Sequence, residues 1–140
     1  MGQRKLYHIT NPENKESILK YGIKCSDDGY IYLVSEEKLS DLCSSFDFVA
    51  AFQLHILEYQ IFEISETGIG GKLTKEIIDG AESSCQFQLK QQRIKNNHIT
   101  DCGTRKVNDT VADNLQEKGM KFDGNKKSPK QVHSNGSPII

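Results

Sequence analysis

The segment LYHIT, residues 6–10, contains the strongest strand signal near the start of the chain. Its residues are apolar, aromatic or β-branched, which is typical of a strand inside a folded domain. Side chains alternate faces along a strand, so His8 and Thr10 point to the same side. The segment therefore predicts a strand that presents a histidine and a hydroxyl together on one face.

The next segment, NPENKESILKYG, residues 11–22, has the signals of a helix start and a helix end. Asn11 is suited to capping because its side chain accepts from a free backbone N–H. Pro12 is suited to the first helical position, where a missing N–H costs nothing. Gly22 is suited to the position after the helix, which needs positive φ. His8 and Thr10 should therefore lie beside a helix N-terminus, a corner suited to an anion or a ribose.

Length and charge restrict the class of protein. A chain of 140 residues with a formal net charge of −1 is most simply one domain without an overall basic field for nucleic acid. No apolar run is long enough to span a bilayer, and no apolar stretch follows the charged N-terminus as in a signal peptide. We therefore expect a cytoplasmic protein that does not interact with membranes.

The cysteine pattern predicts neither a zinc site nor a disulfide framework. The four cysteines, at 25, 43, 85 and 102, include no pair with CxxC spacing. Without a secretory signal, free thiols are expected. We predict no metal site.

The rest of the chain alternates between predicted strands and predicted helices. Strands are expected over residues 30–34, 59–64 and 83–89, the last with its two glutamines on one face, and residues 73–78 read as a short mixed segment. Ser35 is predicted to cap a second helix that continues through Leu39 and Leu42. Residues 48–57 fit a helix or a buried strand, and the alanine pair favours the helix. This order predicts an α+β domain.

The C-terminal part has fewer apolar residues than the rest. Val111 and Leu115 fit one short helix that begins near Asn108 and ends at Gly119. We expect a domain over residues 1–100, a helical extension over 101–120 and a flexible tail over 121–140.

Three pieces of the sequence, in order, resemble the opening of the ADP-ribosyltransferase fold. They are the strand LYHIT, the helix end ILKYGI at residues 18–23, and the strand YIYLVS at residues 30–35. Small bacterial and phage members of that family have a similar succession, and the resemblance extends over about the first hundred residues. It implies a split two-sheet β core with short flanking helices and an NAD cleft between the sheets.

The resemblance also implies roles for individual residues. His8 would bind a ribose hydroxyl of NAD, and Thr10 would meet the ligand beside it. Tyr32 or Tyr30 would stack on the nicotinamide, and Ser35 would support the site from the end of its strand. Breaking the bond between nicotinamide and ribose passes through an oxocarbenium-like state, so the site must hold the ribose and exclude water.

Active members of the family usually have a glutamate on a late strand, whereas this chain reads Cys-Gln-Phe-Gln at residues 85–88. A glutamine binds a hydroxyl but supplies no negative charge. Three interpretations stay open: Glu82 does the work, Gln86 does it in a variant site, or the domain binds a nucleotide without turnover. Glu36 and Glu63 are further carboxylates, which fit a helix start and a solvated strand face better.

Two functions from different classes follow. The first is an NAD-dependent ADP-ribosyltransferase, related to toxins or phage enzymes, that modifies a macromolecule, either nucleic acid or protein. The alternative is an inactive module of the same fold that binds a nucleotide or a partner protein.

Overall fold

The computed structural model describes residues 5–122 of the chain, and these form an α+β fold, as predicted. The strands are β1 (Leu6–Thr10), β2 (Ile23–Lys24), β3 (Tyr30–Val34), β4 (Glu58–Ile64), β5 (Lys72–Ile78), β6 (Ala81–Lys90), β7 (Arg93–Ile94) and β8 (Ile99–Lys106). The α-helices are α1 (Lys15–Tyr21), α2 (Ser45–Phe48), which continues as a π-helix over Val49–Leu54, and α3 (Asp109–Glu117). Three short 3₁₀ turns cover Pro12–Asn14, Glu66–Gly68 and Asn96–His98.

Most of the strands belong to one six-stranded sheet in which all neighbours are antiparallel. Its order is β5-β6-β3-β1-β4-β8, and β2 and β7 form a separate two-stranded sheet. The predicted strand at the start of the chain, β1, is therefore central. It pairs with β4 along its whole length but with β3 only where Tyr7 faces Val34. The sheet is thus continuous but weakly joined in its middle.

Each face of the large sheet packs against its own apolar cluster. Phe46 and Ala50 of the α2 region and Leu115 of α3 pack on one face, where Tyr7 meets the Phe46 ring edge-on at 5.1 Å between centroids. Ile18 of α1 and Ile94 of β7 pack on the other face. Adjacent residues of β3 serve both clusters, Val34 the first and Leu33 the second. The prediction of a strand that is apolar on both faces is therefore confirmed.

The chain turns into and out of its first helix as the sequence predicts. The Asn11 side chain accepts a hydrogen bond from the Glu13 amide at 3.1 Å, and Pro12 opens the 3₁₀ turn that leads into α1. Gly22 follows α1 with φ of 86°, and its amide donates to the Ile18 carbonyl at 2.8 Å. These contacts fix the direction in which the chain leaves β1.

The predicted helix that starts at Ser35 is wrong. The Ser35 amide still donates to the Cys85 carbonyl at 2.8 Å, and its own carbonyl accepts from the Ser45 hydroxyl at 2.7 Å. Ser35 therefore continues the sheet and cannot open a helix. The helix begins ten residues later at Ser45, where the Ser44 side chain accepts from the Asp47 amide.

Two further segments differ from expectation. The sequence predicts a short mixed segment over residues 73–78, but Lys72–Ile78 form the strand β5. Residues 99–106, for which the sequence predicts no strand, form the edge strand β8. All eight residues of β8 are exposed or half-buried, so the strand has no apolar signature and is held by backbone pairing with β4. The predicted domain boundary at residue 100 falls inside β8, while α3 follows Asn108 as predicted. Most of the predicted tail lies outside the described residues.

Gly22→Ala should lower the free energy of unfolding by about 3 kcal/mol, since its φ of 86° and ψ of −174° are almost closed to other residues. The added Cβ would also overlap the Ile94 carbonyl oxygen. Gly80 is a matched control, with φ of 83° and nothing within 4 Å of an added Cβ, so Gly80→Ala should cost only about 1 kcal/mol. Urea denaturation measures both. Equal losses would contradict the close packing of α1 against β7.

Candidate functional site

A pocket of about 410 Å³ lies where β1 and β3 separate. Beyond the single pair of Tyr7 and Val34, the two strands form no further backbone ladder. Four consecutive residues of β3, 31–34, line the pocket, so it reaches both faces of that strand. The remaining lining residues are His8, Ile9, Lys24, Ser26, Asp28, Val49, Gln53, Leu54, Glu76 and Gln86.

His8 bridges the opening between β1 and β3 through one ring nitrogen, while the other has no partner among residues 5–122. The side chain is only 4% exposed, and its Nδ1 lies 3.0 Å from the Tyr32 carbonyl oxygen. A carbonyl can only accept, so Nδ1 carries the proton and Nε2 is left with a lone pair. Within residues 5–122, that Nε2 is buried without a hydrogen-bond partner. Burial lowers the pKa of His8, so the ring stays neutral and Nε2 stays an acceptor.

Two carboxylates approach the pocket near Tyr32. The Tyr32 hydroxyl donates to Asp28, and this hydrogen bond lowers the pKa of the Asp28 carboxyl. The pKa of Glu76 on β5 is instead raised, first by burial and then by the charge of Asp28. Burial and the Asp28 partner also raise the pKa of the Tyr32 hydroxyl, which keeps its proton. Asp28 therefore loses its proton more readily than an ordinary aspartate, and Glu76 less readily than an ordinary glutamate.

An irregularity between β5 and β6 lies beside Glu76 and Gln86. The register runs from Lys75 opposite Phe87 to Ile77 opposite Glu82, so β6 has extra residues over this stretch. The Ser83 hydroxyl accepts from the Cys85 and Gln86 amides at 3.1 and 3.0 Å, which satisfies groups that leave the ladder. Bulges of this kind redirect side chains. Glu76, inside the irregular stretch, and Gln86, at its end, both line the pocket.

The helix favoured for residues 48–57 is confirmed over residues 48–54, where Val49–Leu54 form a π-helix, whereas residues 55–57 lie outside it. The wider turn ends at His55, which adopts the left-handed conformation with φ of 56°. Val49, Gln53 and Leu54 of this turn line the pocket. Isolated π turns occur frequently at functional sites, because they reposition side chains at a cost in helix regularity.

The structure brings three of the predicted site residues together and places four elsewhere. His8, Tyr32 and Gln86 line the pocket. Outside it, the buried Thr10 hydroxyl accepts from the Asn14 amide group at 2.9 Å, and Lys90 lies 5.0 Å above the Tyr30 ring. Ser35 is buried at 3% exposure, with its backbone bonded to the Cys85 carbonyl and the Ser45 hydroxyl, and Glu82 is exposed on β6.

The other carboxylates considered from the sequence make surface ion pairs. Glu36 lies 3.0 Å from Arg105, and Glu63 lies 3.7 Å from Lys5. Neither lines the pocket. All four cysteines are free, as predicted.

Sequence reasoning missed Asp28 and Glu76 as pocket residues. The sequence places Asp28 in a turn before β3, and a polar residue just ahead of a strand that carries Tyr32 is a usable signal for a site. Glu76 had no such signal, because its position depends on the irregular pairing of β5 with β6.

Comparison with known proteins gives no relative: no family model, no curated protein and no solved structure matches the chain. Over residues 5–122, no cluster of three or more histidine, cysteine or acidic side chains is placed to hold a metal. None of the helices in that part of the chain has the length and apolarity needed to cross a membrane.

Acidification should destabilise the protein through His8. The unfolded chain takes up a proton near pH 6.5, whereas burial keeps the native ring neutral to lower pH. Between the two pKa values the unfolded state binds more protons, so stability falls as the pH falls, by up to about 1.4 kcal/mol per pH unit. His8→Asn retains an N–H for the Tyr32 carbonyl but cannot titrate.

Urea denaturation between pH 7 and pH 5 measures this effect as the difference between the wild type and His8→Asn. The variant should lose less stability than the wild type over this range. Parallel curves would show that His8 is not the buried titrating group.

Proposed function

We propose that the chain is an ADP-ribosyltransferase-like domain that binds NAD in the pocket between β1 and β3. The observation that carries the proposal is the buried, neutral His8, which lines that pocket and whose Nε2 has no partner among residues 5–122. A buried acceptor without a donor costs about 1–3 kcal/mol, so it is retained where a ligand supplies the donor. A ribose hydroxyl is such a donor, which agrees with the role that the sequence resemblance implies.

Several residues that line the pocket would serve in the cleavage of NAD. His8 and the Gln86 amide can hold hydroxyl groups, and the half-buried Tyr32 ring offers a face for the nicotinamide. Glu76 supplies the carboxylate that the late strand lacks, from β5 instead of β6. A negative charge there would stabilise the oxocarbenium-like state.

In the proposed reaction, the bond between nicotinamide and C1′ of the ribose breaks, and nicotinamide leaves with the electron pair as a neutral molecule. A nucleophile of the macromolecular acceptor then bonds to C1′ and releases its proton to water. The acceptor is a nucleic acid or a protein, the two classes that the resemblance implies.

A second candidate is a module of the same fold that binds a nucleotide without turnover. The absence of a glutamate at residues 85–88 of the late strand, which reads Cys-Gln-Phe-Gln, favours this candidate, because glutamine supplies no negative charge for a cationic transition state. Cleavage of bound NAD separates the two functions.

NAD should bind to the wild-type protein, and His8→Asn should weaken binding about tenfold, because one buried acceptor is lost. Isothermal titration calorimetry measures both affinities. Thr10→Val is a control, since Thr10 is equally buried on the same strand but does not line the pocket. No heat of binding at millimolar NAD would refute the proposed function.

Glu76→Gln should lower the rate of nicotinamide release by about a hundredfold or more while NAD still binds. Glu82→Gln, on the exposed part of the same hairpin, should leave the rate unchanged. Liquid chromatography of the released nicotinamide measures both rates. If the wild type binds NAD but releases none, the chain is a binding module.

A further inference from the structure

A group of exposed basic residues lies where α1 ends beside the small sheet of β2 and β7. We call this group the basic surface, and its members are Lys20, Lys24, Arg93 and Lys95. Hydrogen bonds connect the elements that carry it, since the Arg93 guanidinium donates to the Tyr21 carbonyl at 2.6 Å. The Asn96 amide group also donates to the Leu19 carbonyl at 3.0 Å. The positive charges therefore belong to elements that are fixed against one another.

The charge of the basic surface is not neutralised by the rest of the described chain. None of its four side chains makes an ion pair among residues 5–122, where Glu16 and Asp27 are the acidic residues closest to it along α1 and after β2. Lys24 lies directly opposite Arg93 in the pairing of β2 with β7, and like charges at such positions repel each other. A partner that brings negative charge would relieve this repulsion.

An exposed aromatic ring accompanies these charges. Tyr21 is 58% exposed, and the Lys20 ammonium group lies 5.3 Å from the centre of its ring. The bases of a single-stranded nucleic acid stack on rings of this kind while lysines and arginines contact the phosphates. In a duplex the bases already stack on one another, so Tyr21 favours an unpaired strand.

Exposed amide side chains are interleaved with the basic residues. Gln92 precedes Arg93, and Asn97 follows two residues after Lys95; neither amide group makes a hydrogen bond among residues 5–122. An amide group both donates and accepts, which suits the edges of nucleobases. The phosphates of a lipid surface and the carboxylates of an acidic peptide only accept. The amides therefore favour a nucleic acid over these two other anionic partners.

The basic surface is continuous with the pocket between β1 and β3, because Lys24 belongs to both. We infer that the basic surface binds single-stranded nucleic acid through Tyr21 and its four cations, and that the acceptor of the proposed transfer is a nucleic acid. The assignment of the acceptor rests on the proposed function. The binding of the strand rests on the basic surface and Tyr21 alone.

Fluorescence anisotropy with labelled oligothymidine and oligouridine of about 12 nucleotides tests the binding without NAD. The full chain should bind at least one of them, which also tells DNA from RNA. Each contacted phosphate of a single strand contributes about −0.7 to the slope of log K against log salt, so four contacts predict a slope of about −3. No binding at low salt, or a slope near zero, would overturn the inference.

Variants assign the binding to the basic surface. Lys24→Gln combined with Lys95→Gln should weaken oligonucleotide binding about tenfold and make the slope about 1.4 units shallower. Neither lysine side chain makes a hydrogen bond among residues 5–122, so the fold should be unaffected. Lys106→Gln combined with Lys118→Gln is the charge-matched control on β8 and after α3, and it should change neither quantity. Equal effects of the two double variants would contradict the assignment.

Tyr21→Ala tests the preference for an unpaired strand. It should weaken binding of the single-stranded oligonucleotide about tenfold while leaving the salt slope unchanged, because stacking releases no ions. Binding of a duplex of the same length should change less than twofold. An equal loss for both forms would overturn the preference for single strands.

Two other anionic probes test the alternative partners. Vesicles that contain phosphatidylserine represent a lipid surface, and polyglutamate represents an acidic peptide. At the same ionic strength, both should bind at least tenfold more weakly than the oligonucleotide. Binding of either probe as tight as that of the oligonucleotide would overturn the assignment to nucleic acid.

Calorimetry with NAD separates this inference from the proposed function. Oligonucleotide binding without NAD binding supports the basic surface and refutes the proposed function, whereas NAD binding without oligonucleotide binding overturns the inference and leaves the NAD site intact. With NAD labelled in its adenosine part, the label should become attached to mixed-sequence single-stranded DNA or RNA. Label on added protein alone, or on neither, would overturn the assignment of the acceptor.

Discussion

The hydrogen bond from His8 Nδ1 to the Tyr32 carbonyl connects two strands that otherwise share one pair of residues. A side chain here spans a gap that backbone groups would close in a regular sheet. If β1 and β3 paired along their length, the pocket between them would be filled by the ladder. The same bond fixes the tautomer of His8 and leaves Nε2 as an acceptor. One hydrogen bond therefore spans the opening between the strands and also sets the hydrogen-bonding character of a residue that lines it.

Several of the residues that border the pocket therefore carry a cost in stability. Among residues 5–122, the His8 Nε2 and the Glu76 carboxylate have no hydrogen-bond partner, and both reduce the stability of the protein. Sites with such groups are common where binding or catalysis needs them. The irregular pairing at Glu76 and the π-helix at Val49–Leu54 are further departures from regular structure, and all of them border the same space.

The parts of the fold that the sequence predicts well are those with local causes. Asn11 and Gly22 mark the ends of their helical segment through capping and positive φ, and β3 and β6 have clear apolar patterns. The helix at Ser35 fails because long-range bonds to Cys85 and Ser45 outweigh a local capping signal. Within the site, the position of His8 can be predicted from the strand β1, whereas the position of Glu76 depends on the register between β5 and β6, which no local pattern encodes.

The π-helix has a consequence for how this chain tolerates changes in length. Five residues correspond to about 500° around an α-helix, which would leave Val49 and Leu54 about 140° apart. The wider turn brings both to the pocket. Deleting one residue between them would give regular α-helical bonding and a more stable helix, yet it would rotate part of the wall away. In this turn, regular α-helical geometry is incompatible with an intact pocket wall.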